Sequence, residues 1–261
     1  MISVFLLAWL PLTSLGMNTN AHSNVSVGAH SGEVQLPIAR DWSFSLMDQI
    51  IEHQWMTNTV NMTVNLRVQE TGLATRSEYF TSLLDQIIDF LTDYPNEDDY
   101  WEIVNRHLTQ TMLQKHPELR SLTILLEILP RPRIPYTCIS TVTVTDQNQI
   151  TETWQFRSPH IPVHHPARGW INVSVKYTYK PDITAQEYPD FVPIQYQISD
   201  SLMRSPEPSN SWEMLNRQLA ESILAKHPTL KDVTLQLEAL PTLDLPYAYV
   251  TSISMPQAQP D

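Results

Sequence analysis

The sequence predicts an α+β protein made of two tandem β-β-α-α-β-β units, each an antiparallel four-stranded sheet with two helices on one face. Three observations carry this expectation. A long motif occurs twice: Trp101-Glu102-Ile103-Val104-Asn105-Arg106, Lys115-His116-Pro117 and Leu126-Glu127 return as Trp212-Glu213-Met214-Leu215-Asn216-Arg217, Lys226-His227-Pro228 and Leu237-Glu238, each 111 residues later. A fixed long period marks a duplicated unit. Around the motif lie segments of strict apolar–polar alternation, the period of a half-buried strand. Between those segments lie apolar stripes at helical spacing.

The elements follow in order. Residues 34–44 read as a first strand ending in Trp42-Ser43-Phe44, with Trp154-Gln155-Phe156 as its counterpart at an offset of 112. The stretches 45–57 and 157–169 are then corresponding connections. The first has room for a helical turn, and the second is barred from a regular helix by Pro159, Pro162 and Pro166. Val60, Met62, Val64, Leu66 and Val68 alternate with polar residues, as do Ile171, Val173, Val175, Tyr177 and Tyr179. A first helix shows Phe80, Leu83, Leu84, Ile87, Ile88 and Leu91 on one stripe, with a weaker counterpart over 191–203. A second helix spans 101–115, and its copy 212–226, each stopped by His-Pro because a residue before proline avoids the α region. Strands over 122–128 and 233–239, a proline-rich turn and a last strand complete each unit. The resulting division is 34–145 and 146–256, with a leader at 1–23, a polar flexible stretch at 24–33 and a tail at 257–261.

Composition excludes several classes of function. The 261 residues carry a formal net charge of −12, which argues against a nucleic-acid surface. One cysteine, Cys138, permits neither an internal disulfide nor a cysteine zinc site, and strand placement predicts that it is buried. Five glycines are too few for a dinucleotide or phosphate-loop fingerprint. Residues 2–12 are apolar but too short to span a bilayer, so no stable membrane insertion is expected. Two readings of that run stay open, a secretory signal or an unstructured leader. Asn24, Asn61 and Asn172 match the glycosylation sequon, the last two within expected strands. His160, His164 and His165 lie in a proline-rich segment without a nearby carboxylate and read as a solvated loop, so no metal is expected.

Glu102 and Glu213 are the residues that could carry chemistry. Periodicity alone favours a capping box, with Asp99 or Asn210 as N-cap and the glutamate three residues on. The competing reading is a carboxylate that accepts two parallel N–H bonds from a flat heterocycle. Arg106 and Arg217 follow by four residues, the spacing of a helical ion pair worth about 0.3–0.5 kcal/mol. His116 and His227 read as helix stops, and Glu127 and Glu238 point away from the helix-covered face.

The string Trp-Glu-x-x-Asn-Arg-x-Leu, then Lys-His-Pro, an alternating strand and x-Pro, resembles dihydroneopterin aldolases of the tunnelling-fold (T-fold) superfamily. The resemblance covers about residues 34–145 and 147–255. Its motifs are short, and the order of elements carries much of it. It implies a pterin- or purine-like ligand gripped by Glu102 or Glu213, with no cofactor. Tyr79 and Tyr188 look like the family's active-site tyrosine, a catalytic role. It also implies folate metabolism, a cytoplasmic location, pockets between neighbouring units and sheets that self-associate into a closed barrel. The sequence departs from the family at Leu129 and Leu240, where the catalytic lysine would stand. Leucine neither donates nor accepts a proton, which argues against aldolase turnover. The alternatives are a non-catalytic binding or assembly module with a degenerate T-fold, and a purine enzyme such as a urate oxidase relative, for which no motif beyond the fold is present.

Overall fold

The computed structural model describes residues 39–69, 76–95, 99–132, 134–163, 169–204, 212–243 and 246–258. The expected leader, the 24–33 stretch, the sequon at Asn24, the N-cap Asn210, His164, His165 and the last residues of the tail lie outside them. The chain runs β1 (Ala39–His53), β2 (Met56–Gln69), α1 (Arg76–Asp93), α2 (Trp101–Lys115), β3 (Leu119–Ile128) and β4 (Thr137–Thr145). It continues through β5 (Ile150–Val163), β6 (Gly169–Tyr179), α3 (Phe191–Arg204), α4 (Trp212–Lys226), β7 (Leu230–Ala239) and β8 (Tyr249–Pro256).

These strands form one eight-stranded antiparallel sheet in sequential order, which corrects the expectation of two four-stranded sheets. The reason is local. Only Asp146–Gln149 separates β4 from β5, with Asn148 at a positive φ of 59° and its amide bonded to Thr145 O at 2.9 Å. So tight a turn folds β5 back onto β4, and the two pair from Thr137↔Arg157 to Val144↔Ile150. The open edges of the sheet are therefore β1 and β8.

The alternation of β2 and β6 buries Val60, Met62, Val64, Leu66 and Val68, and Ile171, Val173, Val175, Tyr177 and Tyr179. That apolar face meets Leu83, Ile87 and Leu91 of α1, Val104, Leu108 and Met112 of α2, and the matching residues of α3 and α4, in one core. Among the described residues no helix packs on the opposite face. The connections expected at 45–57 and 157–169 prove instead to be strand at 45–53, 56–57, 157–163 and 169, with 164–168 outside the described residues. Each strand absorbs its irregularity in a bulge, between Leu46 and Gln49 in β1 and between Ser158 and Ile161 in β5. Asp48 and His160 take positive φ values of 55° in these bulges. Asn61 Oδ1 accepts from the Asp48 amide (3.0 Å), and Asn172 Oδ1 from the His160 amide (3.1 Å). Their Nδ2 atoms donate to Glu127 and Glu238, both at 3.0 Å. Both sequon asparagines thus pin a bulge, and both outward glutamates are held in the same way.

A buried asparagine ties each second helix to the sheet. Asn105 Nδ2 donates to Ile124 O (3.0 Å), Ser140 O (3.2 Å) and Ser140 Oγ (3.1 Å). Asn216 Nδ2 donates to Leu235 O at 3.2 Å. A buried polar group is costly when it loses its partners. Asn105→Ala should therefore lower stability by about 1–3 kcal/mol. Urea unfolding checks this, and an unchanged midpoint would show that the tether contributes nothing.

Candidate functional site

The continuous sheet sets the start of α2 against the second half of the chain. α2 opens at Tyr100, whose carbonyl accepts from the amides of Ile103 (2.9 Å) and Val104 (3.2 Å), with no side-chain cap. The capping box expected from Asp99 and Glu102 is absent here. Asp99 is committed elsewhere: its carbonyl accepts from His53 Nε2 (2.8 Å) and Gln54 Nε2 (2.9 Å), and its carboxylate from Tyr94 Oη (3.1 Å). These bonds dock the helix start on the β1–β2 turn.

Glu102 is consequently free of the cap and turns inward, with 3% exposure. Tyr179 Oη, from β6, donates to Glu102 Oε1 at 2.6 Å. Burial raises the Glu102 carboxyl from the ordinary 4.5 to about 7, against the lowering effect of the Tyr179 bond. Beside it, Arg106 does not pair with Glu102 as its helical spacing predicts. Arg106 Nε donates to Glu152 Oε1 of β5 at 2.6 Å, its terminal nitrogen bonds Glu152 Oε2, and Nη1 donates to Ile183 O at 2.8 Å. The fork geometry of guanidinium on carboxylate wins over the helical neighbour. Tyr188 Oη adds a bond to Glu152 Oε2 at 2.9 Å, and its ring packs on Tyr179 at 4.9 Å and under Arg106 at 5.4 Å. Burial pushes the hydroxyls of Tyr179 and Tyr188 well above the usual phenol range, so both are donors at neutral pH.

Of the four residues singled out in the sequence, the fold brings Glu102 and Tyr188 into one buried network across the halves. Glu213 and Tyr79 do not meet. Glu213 is exposed at the start of α4, bonded by Tyr249 Oη of the edge strand β8. Tyr79 sits in α1 with its ring edge on His116 at 5.5 Å, and His116 in turn contacts Glu118 at 3.2 Å. Glu152 was missed in the sequence although it carried a signal: it shares the alternation of Trp154 and Phe156, a charge in a buried register. Asn105 and Asn216 carried a similar one, an amide on an apolar helical stripe.

The network divides two openings. On one side Glu102 meets a space of about 40 Å³ lined by Leu129, Arg131, Tyr136, Cys138, Trp154 and Phe191. That holds water but no bicyclic ring, since ligand pockets run to about 300 Å³ and more. Leu129 stands in that lining. Burial, with the nearby Glu102 charge, pushes the Cys138 thiol up to about 12, leaving it unreactive. On the other side lies a cleft of about 290 Å³ bounded by Arg106, Glu152, Tyr179 and Lys180. Among the described residues no group of His, Cys, Asp and Glu could hold a metal ion, and no helix is long and apolar enough to cross a membrane.

No protein-family model matches the sequence, and no curated protein matches it. The fold is similar to solved urate oxidase structures. Urate oxidase from Bacillus sp. TB-90 superposes with a TM-score of 0.59 at 10% identity, covering 83% of this chain and 100% of that one. Uricase from Arthrobacter globiformis gives 0.58 at 9% identity, covering 87% and 97%. Uricase from Bacillus fastidious gives 0.56 at 12% identity, covering 77% and 82%. Those chains have a tandem tunnelling-fold architecture. At such low identity the likeness is one of fold. It supports the tunnelling fold and gives nothing specific to dihydroneopterin aldolase.

Two predictions follow from the network. The buried Glu102 binds its proton more tightly folded than unfolded, so its ionisation destabilises the fold as pH rises from about 4.5 to about 7. That cost reaches about 3 kcal/mol above the upper value. Glu102→Gln should abolish this part of the pH dependence and be the more stable protein at pH 8.5, read by urea unfolding at pH 5.5, 7 and 8.5. Arg106→Met strands the Glu152 charge and should cost about 3–5 kcal/mol, whereas Arg106→Met with Glu152→Gln should recover much of it. Equal losses in the single and double variants would contradict the pairing.

Proposed function

We propose that this chain is a tunnelling-fold binder of a purine- or pterin-like heterocycle, with Glu213 as the anchoring acid and the seat completed by a second copy of the chain. One observation carries the reading. Two acids at equivalent places have opposite fates: Glu102 is sealed under Tyr179, while Glu213 stays exposed beside an open sheet edge. The Glu213 carboxylate is held by Tyr249 Oη, and its exposure lets a ligand's paired N–H groups compete for it. Among the described residues nothing pairs with the outer side of β8, nor with that of β1 at the far edge, and such edges are hazards unless covered. Pairing β8 of one copy with β1 of another would cover both and enclose Glu213. The structural neighbours are urate oxidases, named for a purine, which supports the ligand class.

Aldolase chemistry is not part of this proposal. Leu240 follows β7 in the second half as Leu129 follows β3 in the first, and neither carries a proton. A second reading, assembly without ligand, is favoured by the sealed inner seam, where protein aromatics occupy the ground around Glu102.

Calorimetric titration of the associated protein with xanthine and with neopterin tests both readings. The first predicts that one of them binds, and that Glu213→Gln weakens it about tenfold or more while Glu102→Gln leaves it unchanged. Self-association with no heat from either compound would establish the second.

A further inference from the structure

The duplication provides an internal control for side chains on the helix-free face of the sheet. Residues present in both halves serve the shared fold, as Asn61–Glu127 and Asn172–Glu238 do. Residues that differ at equivalent places are not required by it. In the first half, the row across β1, β2 and β3 is Ser45, Thr63 and Leu125, with Ser45 Oγ and Thr63 Oγ1 bonded to each other at 3.1 Å. The equivalent row across β5, β6 and β7 is Arg157, Ser174 and Gln236, extended onto β4 by Thr137. One step along, Ser43 of the first half is replaced by Gln155, which donates to Ser174 Oγ at 3.0 Å.

These second-half residues line a pocket of about 430 Å³, the size range of small-molecule sites. Pro130 and Pro135 from the β3–β4 turn and Pro159 from the β5 bulge form its apolar walls. The Arg157 guanidinium makes no hydrogen bond or ion pair with any described residue, in a chain of net charge −12. Glu238 Oε2 is held by Asn172, and among the described residues no hydrogen bond reaches Oε1, which can accept from a ligand. Arg157 and Glu238 lie two strands and two residues apart, with Cα atoms roughly 12 Å from each other. Both side chains are long and flexible enough for their charged ends to lean toward each other over Ser174. Between them stand neutral hydrogen-bonding groups on Gln155, Ser174 and Gln236.

We propose that this pocket is a binding site for a free α-amino acid, its carboxylate on Arg157 and its ammonium group on Glu238. The paired charges of opposite sign match a zwitterion. A simple anion would be repelled by Glu238 and a simple cation by Arg157, and neither would use both ends. The site is separate from the seat proposed around Glu213 and does not depend on it.

Ligand-observed NMR on the full chain, with the twenty common amino acids in one mixture, tests this. At least one amino acid should show a protein-dependent loss of signal. Arg157→Gln and Glu238→Gln should each weaken its binding about tenfold or more, and raised salt should weaken it in the wild type. Ser45→Ala, in the equivalent row of the first half, should leave it unchanged. Arg157 has no described partner to lose, so Arg157→Gln is expected to keep the wild-type melting temperature and to report on binding alone. No affected amino acid, or an effect retained in full by Arg157→Gln, would overturn the proposal.

Discussion

The ladder between β4 and β5 is the constraint on which the rest of the structure depends. Eight consecutive residue pairs join the last strand of the first half to the first strand of the second. Because the ladder is continuous, the start of α2 is carried over β5 and β6, and Glu102 and Arg106 meet Tyr179, Tyr188 and Glu152 rather than solvent. A sheet face that is already apolar then becomes the floor of a core shared by all four helices. The seam is expensive, since it takes two carboxylates and a guanidinium out of water. The structure offsets that in two ways. It matches Arg106 to Glu152 by a forked pair, and it raises the proton affinity of Glu102.

Duplication followed by divergence explains why equivalent residues behave differently. Asn105 and Asn216 keep one task, the tether of helix to strand carbonyls. Glu102 and Glu213 do not, because one faces the second half of its own chain and the other faces the edge strand β8. Arg106 has Glu152 across the seam, whereas Arg217 is exposed. The same logic separates fold from function on the helix-free face, where Asn61 and Asn172 are common to both halves and Arg157 is not.

Much of the local structure was legible in the sequence. The alternation of 60–68 and 171–179 located two buried faces, and the Trp-Glu start and His-Pro stop placed both second helices to the residue. The division of the sheet was not legible, because alternation says which face is buried and nothing about which strands pair. Here the decisive feature was four residues long, the Asp146–Gln149 turn. The strands over 45–53 and 157–163 were hidden by bulges, which break the two-residue period, and by prolines, which resemble loop punctuation. At the site, the Glu102 reading failed in its local part. A capping box needs the N-cap side chain, and Asp99 is turned toward Tyr94, His53 and Gln54, contacts from distant residues that no helical spacing can reveal. Arg106 left its helical neighbour for the same reason, a long-range partner with better geometry.

Amide hydrogen exchange across the β4–β5 ladder tests the account most directly. If one sheet runs through the chain, the ladder amides of Thr141 and Thr153 exchange as slowly as those of Thr63 and Leu125 in β2 and β3, and only through global unfolding. If the halves are separate sheets that merely touch, β4 and β5 behave as edges and their amides exchange orders of magnitude faster than the β2–β3 ladder. That result would remove the sealed seam and every conclusion drawn from it.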